Sequence, residues 1–163
     1  MMASDPATDP AAELTRANAA GLIARGLTRS FAAHGLVSLP EFTLRSGRRA
    51  DLFCLDAKSR ITIVEIKSSV EDFRSDQKWP DYLDYCDYFY FAVPEGFPQE
   101  LIPGDRGLMV ADGYGATVIR ESAELPLNAA RRRALVLQFA QLAAQRLQGL
   151  IDPDALPGAL ESF

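Results

Sequence analysis

Apolar and polar positions alternate along this chain in two periods. Between Ala11 and Ala33 the apolar residues Leu14, Ala17, Leu22, Ile23, Leu27 and Phe31 return at helical spacing. His34-Gly35 closes that helix, since a glycine readily takes the left-handed conformation that follows a helix C-terminus. The period then changes to two. Val37–Leu44 reads as a strand, Ser46-Gly47 as a turn, Ala50–Leu55 as a second strand and Arg60–Lys67 as a third. Asp56-Ala57-Lys58-Ser59 separates the last two, so the three strands form a meander. Ile61, Thr62, Ile63 and Val64 are all β-branched, which predicts a strand covered on both faces.

Further along, Ser69 and Asp72 are spaced as a capping box on a short helical turn. Pro80 suits the first turn of a helix over about Trp79–Asp87. Tyr88–Val93 is an aromatic, β-branched strand stopped by Pro94. A loop covers Glu95–Gly107. Leu108–Ala111 and Ala116–Ile119 form a hairpin about Gly113-Tyr114-Gly115, and Asn128 opens a long amphipathic helix reaching Leu147. The expected order is αβββαβββα, a mixed α/β domain over residues 13–148. Residues 1–12 read as a polar tail without the basic segment of a signal peptide, and residues 149–163 as a short acidic tail.

Composition narrows the picture. The chain has 163 residues, of which 48% are hydrophobic and 24% charged, so it can bury a core without disulfides or a structural metal. The formal net charge of −5 argues against a protein that coats DNA through bulk positive charge. It leaves room for one local face. Cys54 and Cys86 lie in apolar or aromatic runs, and the one histidine, His34, offers no zinc spacing; both thiols read as buried in a reducing cytoplasm. No apolar run approaches the ~18 residues of a membrane span.

The chemistry concentrates between Arg48 and Lys78. Alternation puts Glu65 and Lys67 on one face of the third strand. A loop between the second and third strands centred on Lys58 sets Asp51 directly opposite Glu65, with Cβ atoms about 4.5–5.5 Å apart. Facing carboxylates are destabilising unless a positive group joins them. Lys67 supplies part of that, and a divalent cation such as Mg²⁺ supplies it better, since it binds through one or two carboxylates and keeps several waters. A structural Asp/Glu/Lys network at the mouth of the hairpin is the equal alternative.

These residues resemble a known signature. Asp51, a strand hairpin and then Glu65-Ile66-Lys67 resemble the PD-(D/E)XK motif of restriction-endonuclease-like nucleases, with Ala50 in place of the proline before the aspartate. GRRAD (47–51), IVEIKSS (63–69), EDFRSDQKWPDYLDYCD (71–87) and FYFAVP (89–94) are similar to the bacterial MmcB-type family of DNA-repair endonucleases, as are GLMVADGYGATVIR (107–120) and the Arg-rich helix start at 130–133. The resemblance spans about residues 13–147.

It implies a restriction-endonuclease-like core, a mixed central β-sheet flanked by helices, in which Asp51, Glu65 and the Ile66 carbonyl hold Mg²⁺ or Mn²⁺. Lys67 would orient the attacking water and offset charge at the phosphate. Glu41 is a candidate additional carboxylate, provided that the loop before Asp51 is centred on residue 46 or 47. Glu13 in the first helix competes with it. Gln77 and Lys78 could reach the site from the next helix. Residues 45–78 hold eight basic against six acidic residues, while 79–112 hold one against seven. Arg48, Arg49, Arg74 and Lys78 are therefore the expected DNA phosphate contacts.

The leading expectation is a metal-dependent DNA endonuclease acting in repair, bacterial and cytoplasmic at the nucleoid. The alternative is an inactive nuclease-fold module that binds DNA or docks a repair partner. A weaker third reading, an enzyme of small phosphorylated substrates, lacks any glycine-rich phosphate loop. Leu135, Phe139, Leu142 and Leu147 of the last helix offer a homodimer face.

Overall fold

The computed structural model describes residues 10–155. The chain divides between Pro126 and Leu127 into two compact units. The first begins with helix α1 (Pro10–Ala33) and continues through β1 (Val37–Thr43), β2 (Arg49–Leu55) and β3 (Ile61–Ile66). A short helix α2 (Val70–Ser75) and a 3₁₀ segment (Trp79–Tyr85) lead into β4 (Tyr88–Val93). A one-turn 3₁₀ segment (Gln99–Leu101) precedes β5 (Gly107–Ala111) and β6 (Ala116–Arg120). The second unit contains α3 (Ala129–Ile151), N-capped by the Asn128 side chain, which accepts from the amides of Ala130 and Arg131.

The six strands form one sheet in sequence order, β1 to β6. β1–β2, β2–β3 and β5–β6 are antiparallel, whereas β3–β4 and β4–β5 are parallel. The mixed α/β expectation and the element order agree with this arrangement. Two elements differ from it. The helix expected over Trp79–Asp87 is a tighter 3₁₀ coil, ending where Asp87 turns into the sheet and its carboxylate accepts from the Ile61 amide at 2.7 Å. The long helix runs through Gly149 to Ile151, past the expected stop at Leu147.

Each loop that fixes the register is built by local chemistry. Asp56 accepts from the amides of Lys58 and Arg60 and from the Arg60 guanidinium, and Ser59 takes a positive φ of 61°. That turn sets Leu55 against Ile61 and Leu52 against Val64. In the preceding hairpin the Leu44 amide donates to the Arg48 carbonyl, and Gly47 takes a φ of 83°. Thr43 therefore faces Arg49, and the loop is centred on residue 46.

The two faces of the sheet bury different residues. One face carries Leu52, Cys54, Val64, Ile66, Ala92, Met109 and Ala111 against Ile23, Leu27 and Phe31 of α1. The other is aromatic. Phe89 and Phe91 pack edge to face at 5.1 Å, and Trp79, Tyr82 and Phe73 lie over them. All six residues of β3 are buried, as its β-branched run predicts. Cys54 and Cys86 are buried free thiols, and burial pushes both well above the usual thiol range.

Candidate active site

Asp51 and Glu65 share the aromatic face, at the end of the hairpin where the ladder stops. The register Leu52↔Val64 makes Asp51 the residue opposite Glu65. Past this point the Ile66 amide no longer finds a β2 carbonyl and donates instead to Asp51 Oδ2 at 2.8 Å. Lys67, one residue beyond the strand, donates its own amide to the Ala92 carbonyl of β4. Its ammonium donates to Asp76 Oδ2 at 2.7 Å and to Glu65 Oε1 at 3.3 Å. Glu65 and Lys67 are only 4% and 2% exposed, a rare degree of burial for charged residues.

The electrostatics follow from that crowding. Burial, and next the Asp51 charge, push the Glu65 carboxyl up to about 8, against the opposing pull of Lys67. Burial also raises Asp51, although the Ile66 amide and Lys67 act against it. For Lys67, burial favours the neutral amine, but Glu65 and Asp76 outweigh it and the ammonium is held above its ordinary range. Asp76 is lowered, because the hydrogen bonds from Lys67 and from the Lys78 amide overcome its own desolvation. Glu65 Oε2 is buried without a hydrogen-bond partner. Such an atom is costly unless a cation or proton satisfies it.

Asp76 is the member of this cluster that sequence reasoning missed. It is the C-cap residue of α2, whose N-cap is Ser69 with Asp72 in the first turn. The signal available was indirect: a lysine buried in a strand needs an anion, and the acidic segment after it supplies one.

The other candidates stand elsewhere. The hairpin parity does place Glu41 opposite Asp51, as a loop centred on residue 46 requires. Glu41, however, has a positive φ of 51°, which breaks the strand's alternation and lets Phe42 stack on Phe53 at 4.1 Å. Its carboxylate is exposed and meets Arg49 at 3.7 Å, outside the hydrogen-bonded cluster. Gln77 is also exposed and donates to the Phe73 and Arg74 carbonyls, closing the end of α2. The side chain of Glu13 lies outside the described residues. Of the four expected phosphate contacts, Arg48 is paired with Asp81 at 2.8 Å and Arg49 with Glu41, while Arg74 and Lys78 are exposed beside the cluster. Among the described residues, no three His, Cys, Asp or Glu side chains are grouped to hold a metal ion, and no helix is long and apolar enough to cross a membrane.

A six-stranded mixed sheet, backed by α1 and holding the buried Glu65–Lys67 pair between the half-buried Asp51 and Asp76 at one strand end, defines the class of protein. The chain belongs to the MmcB-like family, described as "DNA repair protein MmcB-like", whose family model matches residues 7–154. It is similar to the solved structure of the "SPO1766 protein of unknown function from Silicibacter pomeroyi", with 45% sequence identity and a TM-score of 0.81 over 85% of this chain and 94% of that one. No curated protein matches it.

Proposed function

We propose that this chain is a divalent-cation-dependent phosphodiesterase that cuts DNA in a repair setting, on a restriction-endonuclease-like PD-(D/E)XK core. The observation that carries the reading is the forced neighbourhood of Asp51 and Glu65 beside Lys67 at the end of the β2–β3 hairpin. The scaffold is consistent with it: a helix, an antiparallel three-strand meander, then a strand parallel to the third. The family description supports the repair setting and DNA as the partner. The bacterial cytoplasm, at the nucleoid, is where such an enzyme would work.

The residues fit a hard cation. Glu65 has a buried oxygen with no partner and a carboxyl made basic by burial and, after it, by the Asp51 charge. Asp51, Glu65 and the Ile66 carbonyl would hold Mg²⁺ or Mn²⁺, which when bound supplies an activated water and positive charge at the scissile phosphate. Lys67, kept charged by Asp76, stabilises negative charge developing on the phosphate oxygens. Asp76 is positioning: it fixes the ammonium at the strand end. Arg74 and Lys78, on the segment that follows, take flanking phosphates.

A second reading rests on the burial of the same groups. Glu65 and Lys67 are sealed from solvent and Asp76 occupies the ammonium, which also suits an inactive module that binds DNA or docks a repair partner. One experiment separates the two: incubation of duplex, nicked, flapped, branched and single-stranded DNA with Mg²⁺, Mn²⁺ or EDTA. The enzyme should cut at least one substrate only with metal, and Asp51→Asn, Glu65→Gln and Lys67→Met should each reduce the rate by roughly 10²-fold or more. Undiminished cutting by Lys67→Met would overturn the assigned chemistry. Absence of cutting, together with calorimetry showing no cation binding, would favour the docking module.

A further inference from the structure

Helix α3 has two apolar faces. Leu135 and Phe139 are buried, with Leu142 half-buried on the same side. This corrects the expected dimer face, of which only Leu147 is exposed. A different set stands in solvent: Leu137 (59% exposed), Ala140, Ala144, Leu147 (56%) and Ile151 (75%). Their spacing is three, four, three, four, the repeat of a coiled-coil seam. At 3.6 residues per turn this stripe lies roughly 140° around the helix from the buried face. One packing surface cannot cover both.

The charge pattern selects the occupant. The positions flanking the stripe are uncharged, among them Val136, Gln141, Ala143 and Gln148, so a second copy meets no like charge along the seam. Within the body of the helix the charge is Arg146, which falls in line with Phe139 and Leu142 on the side away from the stripe. The other charges are at the ends, with Arg131-Arg132-Arg133 at the N-terminus and exposed Asp152 and Asp154 just past the C-terminus. A parallel copy would set arginines against arginines and align the two helix dipoles. An antiparallel copy crossing at Ala144 sets Leu137 against the partner's Ile151 and brings each Arg133 to the opposite Asp152 and Asp154, with the dipoles opposed. The small Ala140 and Ala144 at the centre let the two backbones approach closely.

We propose that α3 is a self-association helix and that this chain forms a two-fold, antiparallel dimer through the Leu137–Ile151 stripe. The seam is only about 20 Å long. It is smaller than a standard interface, so the dimer should form at micromolar and not nanomolar concentration.

The test uses the full chain in sedimentation equilibrium between about 5 and 200 μM. Wild type should pass from monomer to dimer in that range, and Leu147→Glu should remain monomeric with an unchanged circular dichroism spectrum. Register is read by oxidative cross-linking, against a low background because Cys54 and Cys86 are buried. Ala144→Cys should cross-link to its own copy, Leu137→Cys should not, and the double variant Leu137→Cys/Ile151→Cys should. A wild-type monomer at every concentration, or a dimer that survives Leu147→Glu, overturns the proposal. Cross-linking of Leu137→Cys alone overturns the antiparallel register.

Discussion

Two unfavourable effects meet at Glu65, burial and the facing Asp51, and together they hold its carboxyl near 8 against an ordinary 4.5. The folded chain therefore binds this proton more tightly than the unfolded chain. The stability it contributes is complete below about 4.5 and is lost as pH rises through about 8. Asp51 is raised too and acts in the same direction. Asp76 acts in the opposite sense: being lowered, its contribution is present above 3.8 and is lost as pH falls through its folded value. Lys67, raised above 10.5, titrates only at higher pH. Between pH 6 and 8 the metal-free protein should thus lose melting temperature, Glu65→Gln should flatten the dependence, and Mg²⁺ should restore stability to wild type at pH 8 but not to Glu65→Gln. A wild-type melting temperature flat across that window would refute the cost assigned to Glu65. The Asp51–Glu65 pairing was legible because a loop centred on Lys58 and strict alternation determine it. Asp76 was not, because it reaches Lys67 from a helix end nine residues on. The left-handed backbone at Glu41 has no sequence signal, since glutamate is not a residue that favours it.

At the scale of elements, α1 shows how closely helix and hairpin approach. A Cβ added at Gly26 would run into the Asp112 carbonyl oxygen and press on that of Gly115, in the β5–β6 turn. Both are backbone atoms, held by the Asp112 side chain accepting from the Tyr114 and Gly115 amides. Gly21, one and a half turns earlier, has open space where its Cβ would stand. The two glycines should respond with opposite signs. Gly26→Ala should destabilise the chain by roughly 1–3 kcal/mol through overpacking, and Gly21→Ala should stabilise it by roughly 0.5–1 kcal/mol through helix propensity. Urea unfolding of both variants checks this, and a stabilised Gly26→Ala would show that helix and turn separate freely. The 3.6 period made α1 and α3 legible, and the glycines about Tyr114 marked the last hairpin. A mixed sheet was implied by the resemblance alone; that β3, β4 and β5 are the strands that pair in parallel was not legible from the residues, because a strand buried on both faces shows the same apolar run whichever way its neighbours point. The 3₁₀ coil at Trp79–Tyr85 escaped for a related reason: Trp79 and Tyr82 are placed by the aromatic face beneath them, not by helical propensity.

For the whole molecule, the net charge of −5 limits the DNA binding proposed above. The basic surplus between residues 45 and 78 looks larger in the sequence than it is in the fold. Lys67 is committed to Glu65 and Asp76, Arg60 to Asp56 at 2.6 Å and Arg48 to Asp81. Arg74 and Lys78 are the exposed cations of the segment next to the site, with Arg49 held more loosely by Glu41 at 3.7 Å. Each phosphate neutralised contributes about −0.9 to the slope of log affinity against log salt, so two or three contacts give a slope of about −2 to −3. Duplex affinity should fall roughly 15- to 65-fold between 50 and 200 mM salt. Arg74→Ala and Lys78→Ala should each weaken binding with little regard to sequence and reduce the slope by about one. Fluorescence anisotropy of labelled duplex across that salt range measures all three quantities. A slope of about −6 or steeper, unmoved by both substitutions, would place the DNA on another face, the arginines at the start of α3 being the next basic cluster. A shallow slope that both substitutions reduce would instead tie DNA to the strand end where Asp51, Glu65 and Lys67 converge, and would leave an acidic chain dependent on a bound cation, or on a second copy, for any tighter grip on DNA.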